Sequence, residues 1–321
     1  MRVDVTRRCL LTLVLAAGAA ALGAAPSSGL DVHGHGRGSS ERHAQPTVSI
    51  DGAVAAASTY SVPQLEALPQ STFTAPAGWW PGSRTHTDAG VSLEGLVNAA
   101  GPTLPVAKNA LLRVTVTVSG RRERRVTLAL GELDSNFGDH PAYLALEEDG
   151  RPLPAPELVV PGDRDGARTV PAVGRITVGV QNPTPTTSPS PGALTIEEGP
   201  FKRVLSATQL AALPAETLHV SFLAGTAAQQ HTEIGPTLSA VLRAAHLRAG
   251  LNTWVAAVGS DGYVATVTPG EAWVGGRPLL ISLSEDGRAL SQPRLVVDGD
   301  VKGGRYVSDV VEDVVGQGVA P

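Results

Sequence analysis

Leu158-Val159-Val160-Pro161-Gly162-Asp163, with Gly166 and Arg168 just beyond, is written again 137 positions later. The second version is Leu295-Val296-Val297-Asp298-Gly299-Asp300, with Gly303 and Arg305 at matching places. Each time an apolar strand runs into a Gly-containing turn and a loop that presents an acid and an arginine. A chain carries such a pattern twice when it holds two copies of one unit. The length of 321 residues suits two domains of ordinary size.

The rest of the chain divides around these two stretches. Thr6-Arg7-Arg8-Cys9-Leu10-Leu11 opens an apolar run to Ala25, too short to span a bilayer and rich in small residues. Its arginine pair matches a twin-arginine export address, with a general secretory signal as the alternative. Without residues 1–25 the chain has 22 basic and 29 acidic residues, a balance that argues against nucleic acid as a partner. Cys9 is the only cysteine, so the mature chain has no disulfide, zinc thiolate or cysteine nucleophile. No later apolar run is long enough for stable membrane insertion, and an extracellular or cell-envelope protein is expected. Residues 26–46 read as a flexible leader in which His33, His35 and His43 catch a metal loosely at most.

Residues 47–180 form the first unit, 181–193 a stiffened Pro/Thr/Ser linker, and 194–321 the second unit. Leu65 and Leu210, in short helices ending near proline, lie 145 apart, as do His86 and His231. Leu93, Leu96, Val97 and Ala100 make an apolar helix stripe behind Ser92, repeated by Leu238, Val241, Leu242 and Ala245 behind Thr237. Val114, Val116 and Val118, then Val126, Leu128 and Leu130, alternate with polar residues, which predicts strands burying one face. Asp149-Gly150 and Asp286-Gly287 mark hairpin tips. The arginines of Gly120 to Arg125 read as a solvated turn, with anion binding as the alternative. His246, near a helix end, reads as a surface capping residue. Few βαβ repeats are visible, so the class is α+β and β-rich.

The order of these signals resembles the molybdopterin-binding domain of the sulfite-oxidase family. The second copy carries it as Leu213-Pro214, Thr232 and Gly235, Leu238 to Ala245, Asp261-Gly262-Tyr263, Asp286-Gly287, Gly299 and Arg305. The first carries it as Leu68-Pro69, Thr87 and Gly90, Leu93 to Ala100, Asp149-Gly150, Pro161-Gly162 and Arg168. The resemblance covers nearly all of the mature chain. It implies a β-rich sulfite-oxidase-type molybdopterin-binding fold, tandemly duplicated, with His86, Arg168, His231, Asp261, Tyr263 and Arg305 facing a pterin or another small anionic ligand.

The departures bear on chemistry. Where the family places Cys-x-Gly-Asn the second copy has Leu223-Ala224-Gly225-Thr226, and the first has Ala75-Pro76-Ala77-Gly78-Trp79-Trp80. The family's lysine after the arginine is Pro171 or Ser308. Losing a thiolate ligand and a phosphate-pairing lysine points to degenerate units that bind a ligand or partner without redox catalysis. The alternatives are a molybdenum-pterin oxidoreductase lacking a protein thiolate, and a structural or interaction scaffold. No other catalytic constellation is present, and Gly34, Gly36 and Gly38 lack the strand and helix of a nucleotide site. Four residue sets keep two readings. His86 and His231 face a ligand or satisfy backbone at a helix start. Arg168 and Arg305 hold an anion or pair with Asp163 and Asp300, which are turn-formers or functional acids. Trp79, Trp80 and Trp273 line a pocket or pack.

Overall fold

The computed structural model describes residues 45–78, 82–184 and 190–318. The export segment, almost all of the leader, Trp79, Trp80 and linker residues 185–189 lie outside the described residues. Ala44–Pro321 is one compact unit. Among the described residues no helix is long and apolar enough to cross a membrane.

The first half contains β1 (Thr47–Gly52), β2 (Ser58–Ser61), α1 (Val62–Glu66), β3 (Ser71–Pro76), β4 (Thr85–Ser92) and α2 (Leu93–Ala100). It continues with β5 (Val114–Ser119), β6 (Arg125–Ala129), α3 (Leu130–Leu133), β7 (Tyr143–Glu148), β8 (Arg151–Val159) and β9 (Arg175–Val180). The second half opens with β10 (Leu194–Glu198), β11 (Phe201–Leu205), α4 (Ala207–Ala211), β12 (Ala215–Ala224), β13 (Ala227–Pro236) and α5 (Leu238–Ala244). It closes with β14 (Thr253–Gly259), β15 (Val264–Val267), α6 (Pro269–Trp273), β16 (Leu279–Glu285), β17 (Arg288–Val297) and β18 (Val310–Gln317).

Each half builds one five-stranded and one four-stranded sheet. The first half has orders β2-β1-β9-β5-β6 and β3-β4-β7-β8; the second has β11-β10-β18-β14-β15 and β12-β13-β16-β17. Each strand of the second half holds the place of the strand nine numbers earlier. In each five-stranded sheet the first strand of the half pairs parallel with its last, and the other pairings are antiparallel.

Local chemistry explains the helices. Ser92 accepts from the Gly95 amide, and Gly101 takes the left-handed conformation that ends α2. The four stripe residues of α2 are its buried ones. Ser206 and Gln209 close a reciprocal capping box on α4. Asp149-Gly150 and Asp286-Gly287 have positive φ at both residues, as a two-residue turn between right-twisted strands requires. His246 also has positive φ and is exposed just past α5, at the surface.

Two expectations need correction. Strands β5 and β6 do not bury one face only: Thr115, Thr117 and Thr127 are buried as well. The polar face is covered by the other half, where the Thr127 amide donates to Leu251 O at 2.9 Å and its hydroxyl to Asn252 Oδ1 at 2.8 Å. In addition, His86-Thr87 and His231-Thr232 lie inside β4 and β13, not at a helix start. The two cores also exchange residues. Leu112 of the first half belongs to the second half's core and Leu251 packs on the first.

Candidate functional site

Both copies of the repeated loop end in a short 3-10 turn, Gly166–Arg168 and Gly303–Arg305. Each turn aims its arginine inward, and Arg168 and Arg305 are 0% exposed. Arg168 donates through Nε and Nη2 to Asp163, at 2.8 and 2.5 Å, and through Nη1 to Glu132 Oε1 at 2.6 Å. Arg305 holds Asp300 through Nε at 3.0 Å and through Nη2, and holds both oxygens of Glu271 at 2.8 and 2.7 Å. These are paired, multiply hydrogen-bonded buried charges of the kind interiors tolerate. Burial opposes charge on each arginine, but the carboxylates outweigh it and raise both pKa values.

The two clusters meet where the halves join. A Cβ on Gly270, in α6, or on Gly275, just past it, would meet Arg168, and one on Gly131, in α3, would meet Arg305. Each arginine thus lies against the other half's short helix. His140 Nε2 approaches Asp163 Oδ1 at 3.1 Å, and at the equivalent place Arg277 donates to Asp300 Oδ1 at 2.8 Å. Arg277 also donates across the junction to the Gly138 carbonyl. Gly162 is required because a Cβ there would lie 2.5 Å from the His140 ring. The two buried glutamates also differ. Burial raises the Glu132 pKa beyond what Arg168 offsets, and its Oε2 has no hydrogen-bond partner among the described residues. For Glu271 burial is overcome by Arg305 and Arg277, and the pKa is lowered.

Of the two readings of Arg168 and Arg305, the geometry shows the internal pairing: Arg168 directs three hydrogen bonds to Asp163 and Glu132, and Arg305 four to Asp300 and Glu271. Asp163 and Asp300 act as their partners. Nearby, Tyr263 Oη accepts from Asn109 at 2.9 Å and donates to Gly304 O at 2.5 Å, joining the halves beside Arg305. Asp261 accepts from the Tyr263 amide at 2.9 Å and shapes the β14–β15 turn. Asp261, Tyr263 and Tyr306 line a shallow pocket of 290 Å³ with Lys108.

His86 and His231 lie on the four-stranded sheets, in β4 and β13. His231 Nδ1 is 2.9 Å from Asp286 Oδ2, and the Thr232 amide donates to Asp286 Oδ1 at 2.9 Å. The Thr87 amide donates likewise to Asp149 at 3.0 Å, so the His-Thr pairs recur because an Asp-Gly tip seats on each. His86 Nε2 lies 3.2 Å from Asp88 Oδ2, and its Nδ1 3.0 Å from Glu148 Oε2. Burial, partly offset by His86 and reinforced by Glu148, pushes the Asp88 carboxyl up to about 6. A 300 Å³ pocket next to this group includes His86, Glu148, Glu157 and Arg124. The Arg124 guanidinium donates to Thr169 O at 2.9 Å and to Ala167 O, so this exposed arginine also braces the Arg168 loop. Trp273 is 42% exposed and donates to Ser239 Oγ at 2.9 Å.

Sequence reading missed Glu132, Glu271, His140 and Arg277, whose roles depend on contacts across the chain. It also missed Asp88, although His86-x-Asp88 on a strand puts both side chains on one face.

No family model matches this chain, and no curated protein matches it. A solved structure of the sulfane dehydrogenase SoxCD from Paracoccus pantotrophus is similar over 83% of this chain and 77% of its own, at 15% identity and a TM-score of 0.33.

Proposed function

We propose that this chain is an exported binding or interaction protein in which two copies of a sulfite-oxidase-type molybdopterin-binding unit serve as scaffold, without redox catalysis. The order of motifs written twice, and the equal strand orders of the halves, support the duplication. The reading of export rests on the paired arginines and apolar run at the N-terminus.

One observation carries the non-redox reading. The arginines that the resemblance directs at an anionic cofactor are buried, and four carboxylates neutralise them. A pterin phosphate would have to displace those carboxylates and leave them unpaired in the interior, which costs several kcal/mol per charge. The mature chain also has no cysteine to ligate molybdenum. The residues present do not fit the molybdenum-pterin group.

Metal and pterin analysis of the protein purified from its own exporting cells tests this reading. Substoichiometric molybdenum and no pterin fluorescence are expected; one molybdenum and one pterin per chain would overturn it.

A further inference from the structure

We propose that His86, Asp88 and Glu148 form a binding site for one divalent transition cation of the zinc class, with Glu157 at its rim. This site stands independently of the reading above. His86 and Asp88 project from one face of β4, and the β4–β7 register sets Glu148 opposite Asp88. Each residue offers one ligand atom, and these atoms lie within 4.8 Å of one another. Imidazole with carboxylates suits zinc-like cations.

The pairing of His86 with Asp88 is the second observation. Asp88 is 2% exposed, and neither its Oδ2 nor His86 Nε2 has a hydrogen-bond partner among the described residues. The two atoms are 3.2 Å apart but not aligned as donor and acceptor. Two ligands of a tetrahedral zinc, each roughly 2.0–2.1 Å from the ion, stand about 3.3 Å apart. A shared cation accounts for both the spacing and the misalignment. Glu148 now lies beside Nδ1, and its side chain is 45% exposed, so its carboxylate is free to swing toward the ion.

The other half supplies the internal comparison. Its equivalents are His231, Glu233 and Glu285, and there Arg294 Nη1 donates to Glu233 at 3.2 Å and to Glu285. The equivalent of Arg294 is Glu157: in register, Glu157 faces Ala145 as Arg294 faces Ser282. Where the second half places a resident cation, the first half places another carboxylate. Three carboxylates then face one imidazole; the pocket's Arg124 is turned to the Thr169 and Ala167 carbonyls, and a divalent ion balances the carboxylates.

The test is equilibrium dialysis of the full chain against Zn(II), followed by metal analysis, with Co(II) absorption as a spectroscopic check. Wild type should retain one ion per chain, His231→Ala should retain it, and Glu148→Gln and Glu157→Arg should lose it. Circular dichroism checks that the two glutamate variants remain folded, and both positions lie outside the hydrophobic cores. Failure of wild type to retain zinc would overturn the proposal. So would zinc that survives both glutamate substitutions, since it would belong elsewhere, the leader histidines included.

Discussion

Glu157 and Arg294 hold the same register place in their sheets, opposite Ala145 and Ser282, and carry opposite charges. In the second half the arginine balances Glu233, which is fully buried and also accepts from Ser282 Oγ at 2.6 Å. Arg294→Met should therefore lower stability at pH 7 by about 1–3 kcal/mol, because a buried carboxylate loses its charged partner. Urea denaturation measures this. A midpoint within error of wild type would show that Glu233 needs no cation.

A second asymmetry concerns the five-stranded sheets. Ile176 pairs with Ile50 in the first, whereas Asp313 pairs with Ile196 in the second. Asp313 is 0% exposed and neither carboxylate oxygen has a hydrogen-bond partner among the described residues. Burial, reinforced by Glu312, pushes its carboxyl up to about 7. The folded state therefore holds this proton more tightly than the unfolded chain does. The group favours folding below the unfolded value of 3.8 and costs stability as pH rises from there through about 7. On a scale of 1.4 kcal/mol per pH unit, Asp313→Ile should stabilise the protein by about 4 kcal/mol at pH 8 and by much less at pH 4. Thermal melts across that range check it; an unchanged pH profile would place the dependence in other groups.

The recurrent glycines have a backbone explanation. A Cβ on Gly90 would lie 2.1 Å from Leu144 O, and one on Gly235 2.1 Å from Ile281 O. Gly90→Ala and Gly235→Ala should each cost about 1–3 kcal/mol or more, since two paired strands must move apart. Gly174→Ala, with open space around its Cβ, is the control and should be close to neutral in the same denaturation assay. Equal effects at all three sites would refute close approach as the reason.

Features set by local periodicity were legible in the sequence. The α2 stripe, the Asp-Gly tips and the repeated loop depend on neighbours a few residues apart. The Arg168–Glu132 contact joins residues 36 apart, on elements with no shared pattern, and could not be read. The alternation of Val114 to Val118 gave the strand but not its surroundings: Thr115 and Thr117 look solvent-facing until the other half covers them. The exchange of Leu112 and Leu251 between cores was hidden for the same reason. Whether an arginine in a Gly-rich loop meets a ligand or its own carboxylates is decided by which acids the fold delivers.

That decision is open to direct measurement. Arg168→Ala removes the partner of Asp163 and Glu132, and the unfolding free energy of this variant can be compared with wild type by denaturant titration without added ligand. If the loop is an internal ion-pair lock, stability falls by about 3–5 kcal/mol at pH 7, the cost of leaving buried charge uncompensated. An unchanged midpoint would contradict the account and return Arg168 to the role of ligand receptor.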